Sequence, residues 1–96
     1  MRQQYRDGSF TGQSADAIYG TIQVKATIRD GRVMDIQFLD YPHDRQYSQA
    51  INRYAMPRLT QEAITIQKAQ VDIISGATDS SLAFRASLAS ALHQAS

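Results

Sequence analysis

The sequence predicts an α+β domain: one mostly antiparallel sheet built around a central hairpin, two short middle helices and a C-terminal helix. Three observations carry this reading. Two neighbouring segments alternate apolar and polar residues with the period of a half-buried strand. Asp30-Gly31 sits between them as a turn. Downstream, apolar residues recur at i, i+3, i+4 and i+7, the spacing of a helix with one buried face. Strands come first and helices mostly follow, which places the chain in the α+β class. Its 96 residues suffice for one domain with a modest core. No repeat, low-complexity tract or linker divides them, so residues 1–96 read as a single domain.

The elements follow in order. Met1 to Arg6 are polar and expected to fray. Asp7-Gly8-Ser9-Phe10-Thr11-Gly12 reads as a turn and a short strand ending near Gly12. Ile22, Val24, Ala26 and Ile28 then alternate with polar residues, and Met34, Ile36 and Phe38 do so after the turn. A two-residue turn would pair Arg29 with Arg32 and set Ala26 opposite Asp35, mixing the faces. A three-residue loop, Arg29-Asp30-Gly31, pairs Ala26 with Met34, Val24 with Ile36 and Ile22 with Phe38, and is therefore expected. Tyr41-Pro42 ends the second strand.

Tyr47, Ala50, Ile51 and Tyr54 predict one helix, and Met56, Leu59, Ala63 and Ile66 a second. Pro57 separates them, since proline fits the first turn of a helix better than its interior. Val71 to Ile74 is a short strand candidate. Asp79 to about Gln94 is the last helix, with Phe84, Leu88, Ala91, Leu92 and Ala95 on its buried face.

Composition narrows the function. Hydrophobic residues make up 43% and charged residues 20%, as in a soluble globular chain. The net charge is +1 with scattered basic residues, which argues against a nucleic-acid partner. No apolar run has the length of a membrane span, and no hydrophobic signal centre opens the chain. Without cysteine there is no disulfide, thiolate metal site or cysteine nucleophile. His43 and His93 stand fifty residues apart, which is no metal-ligand spacing, so no metal is expected and both histidines read as exposed.

The chemistry concentrates in residues 72–81, which join the strand candidate to the final helix. Thr78 or Asp79 is the expected N-cap. Unpaired helix N–H groups and the helix dipole make the first turn favourable for a phosphate, and Gly76-Ala77 put little side chain in its way. Ser80 falls at i, i+4, i+8 with Phe84 and Leu88, so its hydroxyl is expected above the buried face of the helix. The same residues also suit an ordinary capped connection, and residue types alone leave both readings open. A Ser-His-Asp hydrolase does not fit: there is no G-x-S-x-G elbow, and neither histidine is placed to pair with the serine.

Asp72-Ile73-Ile74-Ser75-Gly76-Ala77-Thr78-Asp79-Ser80 resembles the D-x-x-[ST]-G-A-[ST]-x-[ST] flavinylation motif of the FMN-binding domain family. That family includes the C and G subunits of sodium-translocating and Rnf-type NADH-linked respiratory complexes and many small bacterial flavodomains. Asp7 to Gly12 resembles the family's opening D-G-x-[YF]-x-G, and Gly20 to Leu39 its central hairpin, so the likeness spans about residues 5 to 94. The resemblance implies that FMN is esterified through its phosphate to Ser80. A separate Mg-dependent FAD:protein FMN transferase would make the bond and release AMP. Ser80 is then an acceptor that needs no internal base, and the domain is a redox carrier rather than an enzyme. By motif position Asp72, Ser75, Gly76, Ala77 and Thr78 are recognition or phosphate-side residues. Many family members carry threonine at the acceptor, where serine has the same nucleophile with less crowding; Ser81 is an off-motif alternative.

Tyr41 and Met56 are apolar candidates to rest against the flavin ring. Redox partner proteins, membrane-bound or soluble, and a location outside the cytoplasmic membrane follow from the resemblance. A non-covalent FMN domain and a flavin-free interaction module of the same fold are the alternatives.

Overall fold

The computed structural model describes residues 5–17, 20–41 and 46–96, with the backbone alone for 46–52. Among these residues the order is β1 (Gly8–Thr11), β2 (Ala15–Asp16), β3 (Thr21–Arg29), β4 (Arg32–Asp40), α1 (Gln46–Ile66) and α2 (Thr78–Gln94). The α+β class holds. β3 is the centre of an antiparallel sheet, paired with β1 and β2 in succession along its length and with β4 on its other side. Ile22, Val24, Ala26 and Ile28 are all buried, as their alternation requires, and α2 packs on them through Phe84, Leu88, Ala91 and Leu92. Phe84 stacks on Phe38 with ring centroids 5.5 Å apart.

The hairpin differs from expectation. Arg29 pairs with Arg32 and Ile28 with Val33, so the turn has two residues, Asp30 and Gly31. Both take positive φ, 56° and 76°, as a type I′ turn requires, and its twist matches that of the strands. The faces are rescued by a bulge. The register shifts between Ile28 and Thr27, leaving Met34 unpaired and 56% exposed, while Ala26 meets Ile36 and Val24 meets Phe38. Val33, not Met34, therefore joins the core. Arg29 and Arg32 face each other at an exposed hairpin end, where water screens their repulsion.

The two middle helices are one. α1 runs continuously through Pro57. Proline removes the N–H that would bond the carbonyl of Arg53, and both residues are exposed, so water can serve that carbonyl. The buried stripe is Ala55, Leu59 and Ala63, with Tyr54 and Ile66 exposed and Met56 half-buried. Tyr47, Ala50 and Ile51 lie outside the described side chains, as His43 and Pro42 lie outside the described residues. The 71–74 strand is also corrected. This stretch forms no strand: the Asp72 N–H donates to the Glu62 carboxylate and the Ile74 N–H to Ser81 Oγ, so side chains take the place of a neighbouring strand.

Tyr5 and Arg6 do not fray. The Tyr5 N–H reaches the Gly31 carbonyl, its hydroxyl donates to the Gln67 carbonyl at 2.8 Å, and the Arg6 N–H donates to the Ala95 carbonyl at 2.7 Å. Burial raises the Tyr5 pKa above the usual tyrosine range. These bonds fix the orientation of α2. Its C-terminus lies at the hairpin end, and its first turn lies at the opposite end, where β4 finishes.

Gly12 and Ser87 lock that packing. A Cβ on Gly12 would stand 1.9 Å from the Ser87 carbonyl oxygen. Ser87 Oγ accepts the Val24 N–H at 3.0 Å, and Ser90 Oγ accepts the Gln13 N–H at 3.1 Å. Helix hydroxyls thus fill the ladder positions left open between β1 and β2. The C-terminus of α1 is fastened in the same way. Gln67, with φ 61°, accepts the Val33 N–H at 2.7 Å through Oε1 and donates Nε2 to the Val33 carbonyl at 3.0 Å. One amide side chain thus imitates a strand at the bulged edge of β4.

Candidate functional site

Residues 67–77 run back from the hairpin end, beside α1, to the start of α2. The Ile74 carbonyl accepts the Ala77 N–H at 2.9 Å, closing a turn around Ser75-Gly76. Gly76 has φ +84°, a left-handed value that strains any residue with a Cβ, and a Cβ there would meet nothing within 4 Å. The turn therefore has an open apex. Ser75 and Gly76 are exposed, and Ala77 is buried beneath them.

The N-cap is Ala77 (φ −133°, ψ 42°), and α2 has no side-chain cap bond, which corrects the expectation of a Thr78 or Asp79 cap. Thr78 is instead the first helical residue, exposed like Asp79. The first turn of α2 brings backbone N–H groups and the positive end of the helix dipole beside the open apex.

Two adjacent serines divide here. Ser81 is fully buried, donates its hydroxyl to the Ala77 carbonyl at 2.7 Å and accepts the Ile74 N–H at 3.1 Å. It is a lock on the loop, with its hydroxyl committed to two backbone groups. Ser80 is half-buried in the first turn, ahead of the fully buried Phe84 and Leu88. The residue type gave no hint of this difference; only the phase of α2 assigns the two roles.

The remaining candidates sit as follows. Asp72 is exposed, its N–H held by both Glu62 carboxylate oxygens at 3.0 and 2.9 Å. Tyr41 is 38% exposed just beyond β4. That is three residues past Phe38, whose ring stacks on Phe84, so Tyr41 and the start of α2 share one end of the domain. Met56 is half-buried in the half of α1 that leads from the same end. Ser81 and Glu62 are the site residues that sequence reasoning missed. A serine at i+4 from the N-cap can bond back to a carbonyl, which is a usable signal for Ser81. Glu62 has no such signal, because its partner is ten residues away in an irregular loop.

The arrangement brings together an open turn apex, small side chains and a helix start whose N-cap residue makes no side-chain cap bond, with Ser80 half-buried in the first turn. Among the described residues no group of three histidines, cysteines or carboxylates could hold a metal, and no helix is long and apolar enough to cross a membrane. His93 is exposed in the last turn of α2.

Comparison with known proteins agrees with this geometry. The chain is similar to the CPE2226 protein from Clostridium perfringens, known from a crystal structure, with a TM-score of 0.74 and 20% identity. The match covers 95% of this chain and 88% of that one, and it shows a shared fold. No curated protein matches the chain. A family model described as the FMN-binding domain matches residues 18–93, which takes in β3, β4, both helices and the 72–80 loop, and membership supports flavin binding. The chain belongs to the FMN-binding domain family.

Proposed function

We propose that the protein is an electron-transfer flavodomain whose FMN is joined through its phosphate to Ser80. The observation that carries this is the division between the two serines: Ser81 is buried and committed to the loop, while Ser80 is half-buried beside the open Gly76 apex. The acceptor step balances simply. Ser80 Oγ forms the new P–O bond, the pyrophosphate P–O bond of FAD breaks, AMP leaves and the hydroxyl proton is released. An external Mg-dependent FAD:protein FMN transferase supplies the activation, so no base beside Ser80 is required. Thr78, Ser75 and the backbone of Gly76 and Ala77 hold the phosphate side, and Tyr41 and Met56 face the ring. When bound, the isoalloxazine supplies one- or two-electron chemistry, and the protein positions and tunes it. The domain passes electrons between redox partner proteins, membrane-bound or soluble, outside the cytoplasmic membrane, and turns over no substrate of its own.

Intact mass spectrometry of protein co-expressed with the transferase tests the assignment. The wild type should gain the mass of FMN minus water, and Ser80→Ala should not. An adduct that persists in Ser80→Ala would refute the linkage. Yellow colour that washes out on denaturation would point instead to non-covalent FMN.

A further inference from the structure

Resting on the flavin reading, we propose that Arg58 is the phosphate counter-charge of the site, presented to the Ser75–Thr78 loop from α1. The first support is orientation. Glu62 binds the Asp72 N–H, so the Glu62 face of α1 borders the loop. Arg58 precedes Glu62 by one turn and shares that face. Both line one surface groove of about 550 Å³, together with Pro57, Gln61 and Thr65.

The levels also match. Loop and helix run antiparallel, from Gln67 at the hairpin end to Thr78 at the other. The Arg58 guanidinium lies over the Tyr54 ring, 4.3 Å from its centroid, so the side chain leans toward the N-terminus of α1. That places the charge between about 6 and 12 Å beyond Glu62 along the helix. From Asp72 to Gly76 the chain covers up to about 13 Å. The guanidinium therefore lies on the Gly76 side of the Glu62–Asp72 contact, within the span that the chain from Asp72 to Gly76 can cover.

Electrostatics supplies the reason. Asp72, Asp79 and Glu62 put three carboxylates around a loop meant to take an anion. A phosphate there needs a cation, and among the described residues Arg58 makes no ion pair that would occupy it. Its guanidinium lies over the Tyr54 ring, and a guanidinium can stack by its face while its edge binds a phosphate. Arg53, about 140° round the helix from Arg58, does not face the loop.

Phosphorus NMR of the flavinylated protein tests this role. In the wild type the phosphodiester resonance should be displaced from its position in the urea-unfolded protein. Arg58→Ala should move it most of the way back, Arg58→Lys should retain part of the displacement, and Arg53→Ala should leave it unchanged. Thermal melting should be nearly the same in all of them, since both arginines are exposed. A resonance unaltered by Arg58→Ala in a flavinylated, folded protein overturns Arg58's role while leaving the flavin reading intact. Failure of the wild type to take flavin at all overturns the flavin reading, and Arg58's role with it.

Discussion

Ser81→Ala separates locking from acceptance. The substitution removes one hydroxyl from a site with no exposure and leaves the rest of the 72–81 segment in place. Two bonds go: the donation to the Ala77 carbonyl at 2.7 Å and the acceptance of the Ile74 N–H at 3.1 Å. They do not count equally. The Ala77 carbonyl keeps the Ser81 backbone N–H at 2.9 Å, so it remains satisfied. The Ile74 N–H loses its partner in a half-buried position, which costs about 1–2 kcal/mol between the value of a net hydrogen bond and a full desolvation penalty. For a domain of this size each kcal/mol lowers Tm by about 4–8 °C. Differential scanning calorimetry should therefore show a clear drop, while mass spectrometry still finds the flavin adduct. The reverse pattern, an unchanged Tm with the adduct lost, would refute the assignment and make Ser81 the acceptor.

Three further outcomes are expected. Gly12→Ala drives a Cβ to within 1.9 Å of the Ser87 carbonyl oxygen, a backbone atom that cannot swing aside, so denaturant unfolding should show a loss of about 3 kcal/mol or more, or no soluble protein. Gln67→Ala strips both Val33 backbone partners and the 2.6 Å bond to the Ile64 carbonyl, and should cost about 2–4 kcal/mol, with faster amide exchange at Val33 than at Val24. For Tyr5 the sign follows from its raised folded pKa. Its contribution is full below the unfolded value of about 10 and is lost as pH rises from there through the folded value. Urea midpoints should thus fall above about pH 10 in the wild type and less steeply in Tyr5→Phe.

Much of the fold was legible because it rests on short-range pattern. The alternation of Ile22 to Ile28 and the apolar face of Phe84 to Ala95 needed only a period. The misreadings arose where a distant group relieves a local rule. The Arg29–Arg32 pairing looked wrong because strands were assumed free of bulges, and the extra residue at Met34 removes the conflict. Pro57 looked like a helix break, yet the carbonyl it orphans belongs to the exposed Arg53, which water can reach. Residues 71–74 looked like a strand because three of the four are apolar, but Glu62 and Ser81 supply what a ladder would have given. Of the candidate site, the loop, Gly76 and Ser80 are nameable from sequence as candidates. The locks Ser81 and Glu62 could not, since each depends on which side chain the fold brings to which N–H.

The buried polar residues point to one device used three times. Gln67, Ser81 and Ser87 are the buried polar side chains among the described residues, and each bonds backbone groups at an irregularity. Ser87 fills the gap between β1 and β2, Gln67 the bulged edge of β4, and Ser81 the loop before α2. At the last of these the device has a chemical consequence. Consecutive residues on a helix point about 100° apart. Once Ser81 is turned inward to hold Ile74 and Ala77, Ser80 is necessarily turned to the flank. On the proposed function, the lock selects which hydroxyl a transferase can reach. Slipping the start of α2 by one residue would bury Ser80 and expose Ser81, so on the proposed function the turn that fixes this start, Ile74 to Ala77 around Gly76, matters as much as the acceptor itself.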